Sequence, residues 1–536
     1  MRRTIGIAAM LVTAGLNTAP AQHAPAWVRG ATCYEIFVRS FYDSDGDGVG
    51  DLKGLTAKLD YINDGNPRSA QSLGARCVWL MPIVESPSYH GYDATDYYHV
   101  ARAYGTNEDF KRFVAAAHRR GIRVLVDMVL NHTSNEHPWF QAAMRDTASP
   151  YRKWYRWSST KPETKGPWGQ EVWYKSPVRD EYYYAVFWSG MPDLNYETPA
   201  VRTEVKKIAR FWLRDMGVDG FRLDAVPFLM EDGGKLAGSP GTHALLREYA
   251  AYVRSVRSDA YTVGEVYDSL GTVLTYYPDQ LDSYFAFELA DSIIAAVRDG
   301  RGRGMLAPAL RLQRVIPNDR TSPFLRNHDQ PRTRTELGGD MRRARLASFL
   351  LLTMPGMPFV YYGEEIGMVG AKPDERLRTP MQWTAGNAGG FTTGTPWESL
   401  QSDSSSTTVE AEALDSSSVL AMNRRMIHLR SRIAALGEGA LVPLRASHGG
   451  VTAYLRKSGG SIVLVVANLT SETLEGVTLS SEGGAVPVGR WTVRSLIDRT
   501  SGPRLTVGAG GRFDAYSPVR ALAPLEGYVF GLSRLR

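Results

Sequence analysis

Apolar, strand-like runs alternate with amphipathic helical stretches over the first part of the chain. The runs at 32–41, 75–83 and 123–132 are rich in β-branched and aromatic residues, which predicts buried strands. Between them, 52–62 and 108–121 carry apolar residues at helical spacing, and the second stretch ends at a glycine. Strands that alternate with helices in this way indicate βα units and a parallel sheet.

The same alternation resumes further along the chain. A predicted helix at 201–217 precedes a strand at 218–226, and a helix at 246–256 precedes a strand that ends at Glu265. We therefore predict an α/β fold, a (β/α)8 TIM barrel over residues 28–438. Polar residues gather where the predicted strands end, and the carboxyl-terminal face is where such a barrel holds its active site.

Two segments depart from this alternation. Residues 133–190 are crowded with Trp, Tyr, Pro and Lys and are too long for an ordinary loop, so we expect a small domain (domain B) inserted after the third strand. Its aromatic residues form either a minor core or a stacking surface. Short strands separated by Gly and Ser turns predict a C-terminal antiparallel β-sandwich domain over residues 439–536.

The composition is that of a soluble globular protein, with 43% apolar and 22% charged residues. The formal net charge of +6 is small for 536 residues. Because the basic residues form no long run, we expect no nucleic-acid partner.

Residues 1–21 have the pattern of a cleavable signal peptide. Arg2 and Arg3 supply the charged start, residues 5–16 the apolar centre, and Ala19 and Ala21 a small-residue cleavage site. The apolar run is too short to span a bilayer, and no other stretch suggests a membrane segment. We therefore expect a protein that is secreted or periplasmic.

The chain has two cysteines, Cys33 and Cys77, and both lie in apolar, strand-like runs. Export permits a disulfide, and neighbouring strands can bring the two together. The preferred interpretation is a pair of buried free thiols, and the disulfide stays open as the alternative. Neither cysteine has neighbours that suggest metal or nucleophilic chemistry.

The acidic, Gly-rich stretch 43–51 predicts a structural calcium site. Alternate carboxylates on a tight glycine-rich loop can converge on one hard cation, as in the first part of an EF-hand loop. The twelfth position is Gly54 instead of Glu, so the stretch predicts a single structural Ca2+ loop; an acidic surface turn is the alternative. The predicted ligands are Asp43, Asp45, Asp47, Asp51 and the carbonyl of Val49.

Arg222 and Asp224 lie two positions apart in the apolar stretch 220–226. Positions i and i+2 of a strand point to the same side, so both side chains face the inside of the barrel or the floor of a cleft. An arginine beside an aspartate favours the ionised form of the carboxyl, which suits a nucleophile or an electrostatic anchor. A structural ion pair is the alternative.

Three carboxylates, Asp224, Glu265 and Asp329, lie at the ends of separate predicted strands. Retaining glycoside hydrolysis needs two neighbouring carboxyl groups, one that attacks the anomeric carbon and one that protonates the leaving oxygen. A third anionic group stabilises the cationic transition state. The apolar run before Glu265 is an environment that raises the pKa of a carboxyl group, as a general acid requires.

Four motifs in this order, DMVLNH, GFRLDAV, GEVY and FLRNHDQ, closely resemble the four sequence regions of the α-amylase family of glycoside hydrolases (family 13). MPDLN resembles the fifth region, and the likeness covers barrel, inserted domain and C-terminal domain. The resemblance implies Asp224 as nucleophile, Glu265 as acid/base and Asp329 as the residue that holds ring hydroxyls. It implies that the first sugar is framed by Asp127, His132, Arg222 and His328 above the ring of Tyr92. It also places the stretch 43–51 in the calcium loop of the oligoglucosidase-like branch.

Within the family, the chain resembles exported bacterial α-amylases of the branch intermediate between oligo-1,6-glucosidases and neopullulanases. Ala225 is similar to the residue of α-1,4-preferring members, while the Lys-His pair that contacts leaving-group sugars in typical α-amylases is lacking after Asp224. Asn131, a calcium ligand in many α-amylases, lacks evident partners in the inserted domain. Asp93 and Arg378 resemble the pair with which α-glucosidases grip a non-reducing end.

The resemblance therefore implies an α-amylase that cleaves α-1,4-glucosidic bonds in starch-like glucans and maltooligosaccharides. An α-glucosidase or 4-α-glucanotransferase built on the same residues is the alternative. A non-catalytic member of the fold is disfavoured because all three carboxylates are present. We expect an α-glucan or maltooligosaccharide substrate, no membrane association and a monomer.

Overall fold

Eight short parallel strands form a nearly closed barrel in the computed structural model, which describes residues 23–69, 71–232 and 234–535. In chain order, β1 to β8 are Cys33–Ile36, Cys77–Leu80, Arg123–Met128, Gly220–Leu223, Tyr261–Gly264, Ser283–Phe285, Thr321–Ser322 and Phe359–Tyr361. Each strand pairs with the next from β1 to β7, and β8 pairs with β1. The backbone N–H of Phe359 donates to the carbonyl of Pro323 at 2.8 Å, which links β8 to the end of β7. The predicted TIM barrel is confirmed. The predicted signal peptide, residues 1–21, lies outside the described residues.

Helices alternate with these strands and pack on them through apolar stripes. Phe110 and Phe113 of the helix Asn107–Arg119, for example, share a buried cluster with Val124 of β3. The side chain of Thr106 caps this helix by accepting from the backbone N–H of Asp109 at 3.1 Å. The other long helices are Pro199–Arg210, Pro240–Val256, Phe287–Asp299, Met341–Thr353 and Val419–Arg432. Shorter helices are Leu52–Ala57, Leu59–Ile62, Pro138–Arg145, Leu270–Leu274, Ala307–Val315, Thr333–Glu336, Asp374–Leu377, Val409–Leu414 and Ala434–Glu438. Within the described residues, none of the helices has the length and apolarity that crossing a membrane requires.

Cys33 and Cys77 form a disulfide bond, which corrects the preferred interpretation of two free thiols. The two residues are direct partners in the parallel pairing of β1 with β2, so their side chains meet inside the barrel. Both are fully buried in a cluster that includes Trp79 and Phe359. The sequence could not decide this point because it does not give the register between the two strands.

The chain between β3 and β4 carries the inserted segment. It contains the helix Pro138–Arg145 and an antiparallel sheet of Trp157–Ser158, Tyr182–Tyr184 and Trp173–Lys175. Most of its rings form a minor core, in which Phe140 stacks on Trp157 with ring centroids 5.6 Å apart. Trp168, in contrast, remains exposed.

The chain from Ala440 onward folds into antiparallel sheets with their own core, and the predicted C-terminal β-domain is confirmed. Residues of the large and the small sheet, such as Leu464 and Phe513, meet in one buried cluster, as in a sandwich. The large sheet contains Ala440–Pro443, Val451–Ser458, Ser461–Asn468, Glu526–Arg534, Gly489–Ser495 and Leu505–Val507. The smaller sheets contain Arg445–Ala446, Leu479–Ser481 and Phe513–Tyr516, and Leu474–Glu475 with Ala521–Leu522.

Candidate active site

Arg222 connects three carboxylates at the carboxyl-terminal end of the barrel. Its Nη1 donates to Oδ1 of Asp127 at 2.9 Å and to Oδ1 of Asp224 at 2.7 Å. Its Nη2 donates to Oε2 of Glu265 at 2.5 Å. Arg222 and Asp127 are partners in the pairing of β4 with β3, while Asp224 and Glu265 directly follow β4 and β5. The two terminal nitrogens of a guanidinium are held close together in one rigid plane. Because one of them contacts Asp224 and the other contacts Glu265, these two carboxyl groups also lie close together.

The charges of this group follow from burial and from the shared arginine. Burial lowers the pKa of Arg222, but the surrounding carboxylates outweigh it and raise that pKa well above the usual value. Burial raises the pKa of Glu265 to about 7, and the neighbouring Asp224 and Asp329 add to the effect. The pKa of Glu265 is thus raised in the structure, in the direction that the sequence predicts. Burial likewise raises the pKa of Asp127 to about 6.

Asp329 lies between two cations at the other side of the site. Its Oδ1 accepts from Nη2 of Arg378 at 2.7 Å, and its Oδ2 lies 3.1 Å from Nε2 of His328. Burial raises the pKa of Asp329, but His328 and Arg378 outweigh it, so the pKa lies well below the usual value. Asp329 is therefore a carboxylate near neutral pH.

His328 is fixed by a buried glutamate that the sequence analysis missed. Oε1 of Glu35, in β1, lies 2.6 Å from Nδ1 of His328, and both residues are buried. Nε2 of His328 lies 2.6 Å from the hydroxyl of Tyr92, whose ring stacks on the imidazole with centroids 5.5 Å apart. Burial lowers the pKa of His328, but Asp329 and Glu35 raise it to about 9. A carboxylate inside the apolar run 32–41 was the signal that could have revealed Glu35.

His132 completes the wall beside Tyr92. Its Nε2 lies 3.0 Å from the carbonyl of Tyr92, and its ring meets Phe187 edge to face at 5.3 Å. Burial lowers the pKa of His132, so the ring is neutral near pH 7. His132 is therefore a neutral ring in the cleft wall, whereas His328 is a charged ring buried behind that wall.

Asp93 and Arg378, predicted to act as a pair, have different partners in the structure. Asp93 accepts hydrogen bonds from the hydroxyls of Ser86, at 2.6 Å, and Ser88. Arg378 contacts Asp329 and, through Nη1, the hydroxyl of Tyr89 at 3.2 Å. Arg378 thus positions Asp329, and among the described residues no hydrogen bond or ion pair joins it to Asp93.

These residues surround a cleft of about 1420 Å³. Of the predicted site residues, the cleft is lined by Tyr92, His132, Asp224, Glu265, Asp329 and Arg378. Asp93, Asp127, Arg222 and His328 are buried and lie behind this lining. Exposed aromatic residues, including Trp168, Trp188 and Tyr267, line the same cleft. Its size suits a chain of several sugar residues better than a single small ligand.

In the acidic loop 43–51, three of the five predicted calcium ligands have carboxylate groups that lie close together. Carboxylate oxygens of Asp43, Asp45 and Asp51 lie within 4.8 Å of one another. Asp43 also accepts backbone N–H groups of Gly46 and Gly48, each at 2.8 Å. Such oxygen donors on a tight turn fit a hard cation like Ca2+. The carboxylate of Asp47 accepts the backbone N–H of Val49 at 2.8 Å, and Asp47 does not belong to the close group.

A second set of oxygen atoms surrounds Asn131. Oδ1 of Asn131 and Oδ2 of Asp193 are buried and have no hydrogen-bond partner among the described residues. Burial raises the pKa of Asp193 well above its usual value and Glu231 adds to this, while the backbone N–H of Val186, which donates to Oδ1 at 3.0 Å, opposes it. Carboxylate and amide oxygens of this kind are those that hard cations bind.

Comparisons with known proteins agree with this fold and identify the family. The sequence profile described as "Alpha amylase, catalytic domain" matches residues 35–439. The chain is 41% identical to "Alpha-amylase 3" of Dictyoglomus thermophilum over 83% of this chain and 85% of that protein. It is 35% identical to the "Trehalose synthase/amylase TreS" of Mycolicibacterium smegmatis, covering 86% of this chain and 87% of that protein. The crystal structure of the alpha-amylase from H. orenii superimposes with a TM-score of 0.80 at 38% identity, covering 94% of this chain and 99% of that one.

The chain therefore belongs to the α-amylase family of glycoside hydrolases, whose members act on carbohydrates.

Proposed function

We propose that this protein is an α-amylase, a retaining enzyme that cleaves α-1,4-glucosidic bonds in starch-like glucans and maltooligosaccharides. The observation that carries the proposal is the guanidinium of Arg222, which contacts both Asp224, at 2.7 Å, and Glu265, at 2.5 Å. Retaining glycosidases need their two carboxyl groups about 5–5.5 Å apart, whereas inverting enzymes separate them enough to admit a water. One guanidinium shared by both carboxylates supports the shorter separation.

In the first step, an oxygen of Asp224 attacks the anomeric carbon while the glycosidic C–O bond breaks. Glu265 gives its proton to the departing oxygen, and the sugar remains bound to Asp224 as an ester. A pKa of about 7 leaves Glu265 protonated in a large share of molecules near neutral pH, as this step requires.

In the second step, Glu265, now a carboxylate, takes a proton from water as the water oxygen attacks the anomeric carbon. The ester bond to Asp224 breaks, and the sugar is released with its original configuration. Asp329, kept ionised by His328 and Arg378, favours the positive charge that develops on the sugar ring in both steps. If water is replaced by a sugar hydroxyl, the same chemistry transfers the glycosyl group.

The remaining polar residues bind and orient the sugar that reacts. Tyr92 presents its ring to the cleft and is held by the stacked imidazole of His328. His132 lines the cleft beside it, and Asp127 fixes Arg222 from behind. In this scheme the buried residues act on the substrate by fixing the residues that touch it.

We further propose that Ca2+ binds the loop 43–51 in a structural role. The three grouped carboxylates support this assignment, and the loop lies far along the chain from each carboxylate of the reaction. Residues 1–21 support export of the protein to the periplasm or the medium. We propose a monomer.

The alternative is an α-glucosidase or a 4-α-glucanotransferase. Arg378 in the cleft wall favours it, since an arginine there can bind the end of a glucan.

A time course of products from maltoheptaose distinguishes these activities. Mixed oligosaccharides at early times are expected for the amylase. Glucose alone would identify an α-glucosidase, and products longer than maltoheptaose would identify a glucanotransferase. No cleavage of any α-1,4-glucan would contradict the proposed function.

A further inference from the structure

A tryptophan outside the cleft, Trp397, lies between the acidic loop 43–51 and the arginine that holds Asp329. Its ring is partly buried and does not line the cleft. The ring stacks on that of Tyr89, with centroids 5.3 Å apart and planes 26° apart. On Trp397 the guanidinium of Arg39 also packs, 5.1 Å from the ring centroid. The ring is thus fixed by its neighbours although it touches no part of the cleft surface.

Two routes of contact lead from Trp397 to Arg378. The first passes through Tyr89, whose hydroxyl accepts from Nη1 of Arg378 at 3.2 Å and whose ring centroid lies 5.6 Å from the guanidinium. The second passes through Ser40. Nε1 of Trp397 donates to the hydroxyl of Ser40 at 2.9 Å, and that hydroxyl donates to the carbonyl of Arg378 at 2.5 Å. One ring therefore restrains both the guanidinium and the main chain of Arg378.

Arg378 is the last link before the reacting groups. Its Nη2 donates to Oδ1 of Asp329 at 2.7 Å, and its Nε donates to the carbonyl of His328 at 3.0 Å. Because the donors of a guanidinium lie in one rigid plane, the position of Arg378 fixes that of the carboxylate. A carboxylate that stabilises charge developing on the sugar ring must be in place before the reaction, so a small displacement of Asp329 costs rate.

The acidic loop holds Trp397 in turn. The backbone N–H of Trp397 donates to the carbonyl of Gly48 at 2.9 Å, and the backbone N–H of Asp43 donates to the carbonyl of Phe391 at 3.0 Å. A Cβ atom at Gly48 would lie 1.9 Å from the carbonyl oxygen of Thr395, so only a glycine permits this close approach. The stretch that ends at Trp397 therefore follows the shape of the acidic loop.

We propose that Trp397 is a positioning residue of the reaction: it fixes Arg378 by two routes, and through Arg378 it holds the carboxylate of Asp329 against the reacting sugar. The proposal rests on the proposed function, and it assigns to a residue outside the cleft a share of transition-state stabilisation. Removal of the ring should lower kcat more than it changes KM, because Asp329 acts mainly on the charge that develops in the transition state.

The test measures kcat and KM for maltoheptaose, together with the thermal midpoint, in Trp397→Leu, Trp397→Phe and Trp157→Leu. Trp157 is the matched control. It is also partly buried, stacks on another ring, donates from Nε1 to the carbonyl of Arg152 at 2.9 Å and carries the guanidinium of Arg152 on its ring. It belongs to the inserted segment and does not line the cleft.

We expect Trp397→Leu to lower kcat by about tenfold, which corresponds to about 1.4 kcal/mol, with KM changed by less than about twofold. Trp397→Phe keeps a ring for Tyr89 and restores most of kcat. Trp157→Leu keeps the wild-type kcat even where its thermal midpoint falls, which separates positioning from stability.

A double-mutant cycle identifies the residue through which Trp397 acts. In an Arg378→Ala background, Trp397→Leu should lower the residual kcat by less than about twofold, because the guanidinium that the ring positions is already absent. Tyr89→Phe, which removes only the hydroxyl that Arg378 contacts, should lower kcat by about threefold with little change in the thermal midpoint. This variant keeps the test decisive where Trp397→Leu does not fold.

A wild-type kcat in Trp397→Leu, or in Tyr89→Phe where the leucine variant does not fold, would overturn the inference and leave the proposed function intact. The same tenfold loss in the Arg378→Ala background would also overturn it, since Trp397 would then act on something other than Arg378. So would an equal loss of kcat in Trp157→Leu. A wild type that cleaves no maltooligosaccharide would overturn the proposed function and the inference together.

Discussion

Glu35 and His328 form a buried ion pair in which Oε1 of the glutamate lies 2.6 Å from Nδ1 of the imidazole. The two residues are 293 positions apart in the sequence and meet inside the barrel. The opposite nitrogen of His328 faces Tyr92 and Asp329. Glu35 therefore fixes both the orientation and the charge of His328, which lies behind Tyr92 and Asp329 and, like Glu35, does not line the cleft itself.

Replacing Glu35 with Gln tests this positioning role. Glu35 is one of the groups that raise the pKa of His328 to about 9, so its neutralisation is expected to lower that pKa. We expect kcat/KM to fall about tenfold, the factor that corresponds to losing about 1.4 kcal/mol of charge-assisted hydrogen bonding. The imidazole pKa is measured by NMR titration, and circular dichroism checks the fold. A variant with unchanged histidine pKa and unchanged activity would show that the pair is only structural.

The two catalytic carboxylates are expected to respond differently to a reactive substrate. Glu265→Gln should lower hydrolysis of maltooligosaccharides by about 10²–10⁴-fold, since the proton donor is lost. With α-maltosyl fluoride, whose leaving group needs little protonation, the first step should recover in Glu265→Gln but not in Asp224→Asn. Steady-state and burst kinetics measure this difference. Recovery of Asp224→Asn instead would reverse the two assignments.

The pH dependence of kcat/KM should decline on the alkaline side near pH 7. Burial raises the pKa of Glu265 to about 7, and the general acid must carry its proton, so activity is present below that pKa and lost above it. The negative charge of Asp329 contributes to the raised pKa. In Asp329→Asn, which retains little activity, the alkaline limb should therefore move to lower pH. An alkaline limb at the same pH in Asp329→Asn as in the wild type would contradict the assignment of that limb to Glu265.

Calcium is expected to stabilise the protein through the loop 43–51. A ligand at 100 times its dissociation constant stabilises the native state by about 2.7 kcal/mol, so a chelator should lower the thermal midpoint. Asp45→Asn should abolish this sensitivity, because Asp45 is an exposed member of the carboxylate group. Asp180→Asn, which changes an exposed carboxylate of the inserted segment, should keep it. Equal chelator sensitivity in wild type and Asp45→Asn would place the cation elsewhere.

The barrel could be predicted from the sequence because each of its units carries a local signal. Apolar strand runs and amphipathic helices alternate along the chain. Because the carboxyl-terminal ends of barrel strands meet at one face, the sequence predicts that Asp224, Glu265 and Asp329 lie together, and all three line one cleft. The spacing of Arg222 and Asp224 predicts that both side chains point to the same side of the strand, and the two side chains are in contact at 2.7 Å.

Contacts across the barrel could not be predicted in the same way. Glu35, in β1, meets His328, which follows β7, only because the sheet closes into a barrel through β8. Cys33 meets Cys77 only in one register of β1 and β2. The contacts of Asp93 with the hydroxyls of Ser86 and Ser88 were likewise not indicated by the sequence pattern. Periodicity identifies the face on which a side chain lies, but not which residue it meets there.

The central claim, that Asp224 and Glu265 act on opposite sides of one glycosidic bond with retention, is tested most directly by the configuration of the first product. Proton NMR of maltoheptaose during the first minutes of reaction, before mutarotation, distinguishes the two anomers of the new reducing end. The structure predicts that the α-anomer appears first and that the β-anomer follows only by mutarotation. Initial release of the β-anomer would contradict the account.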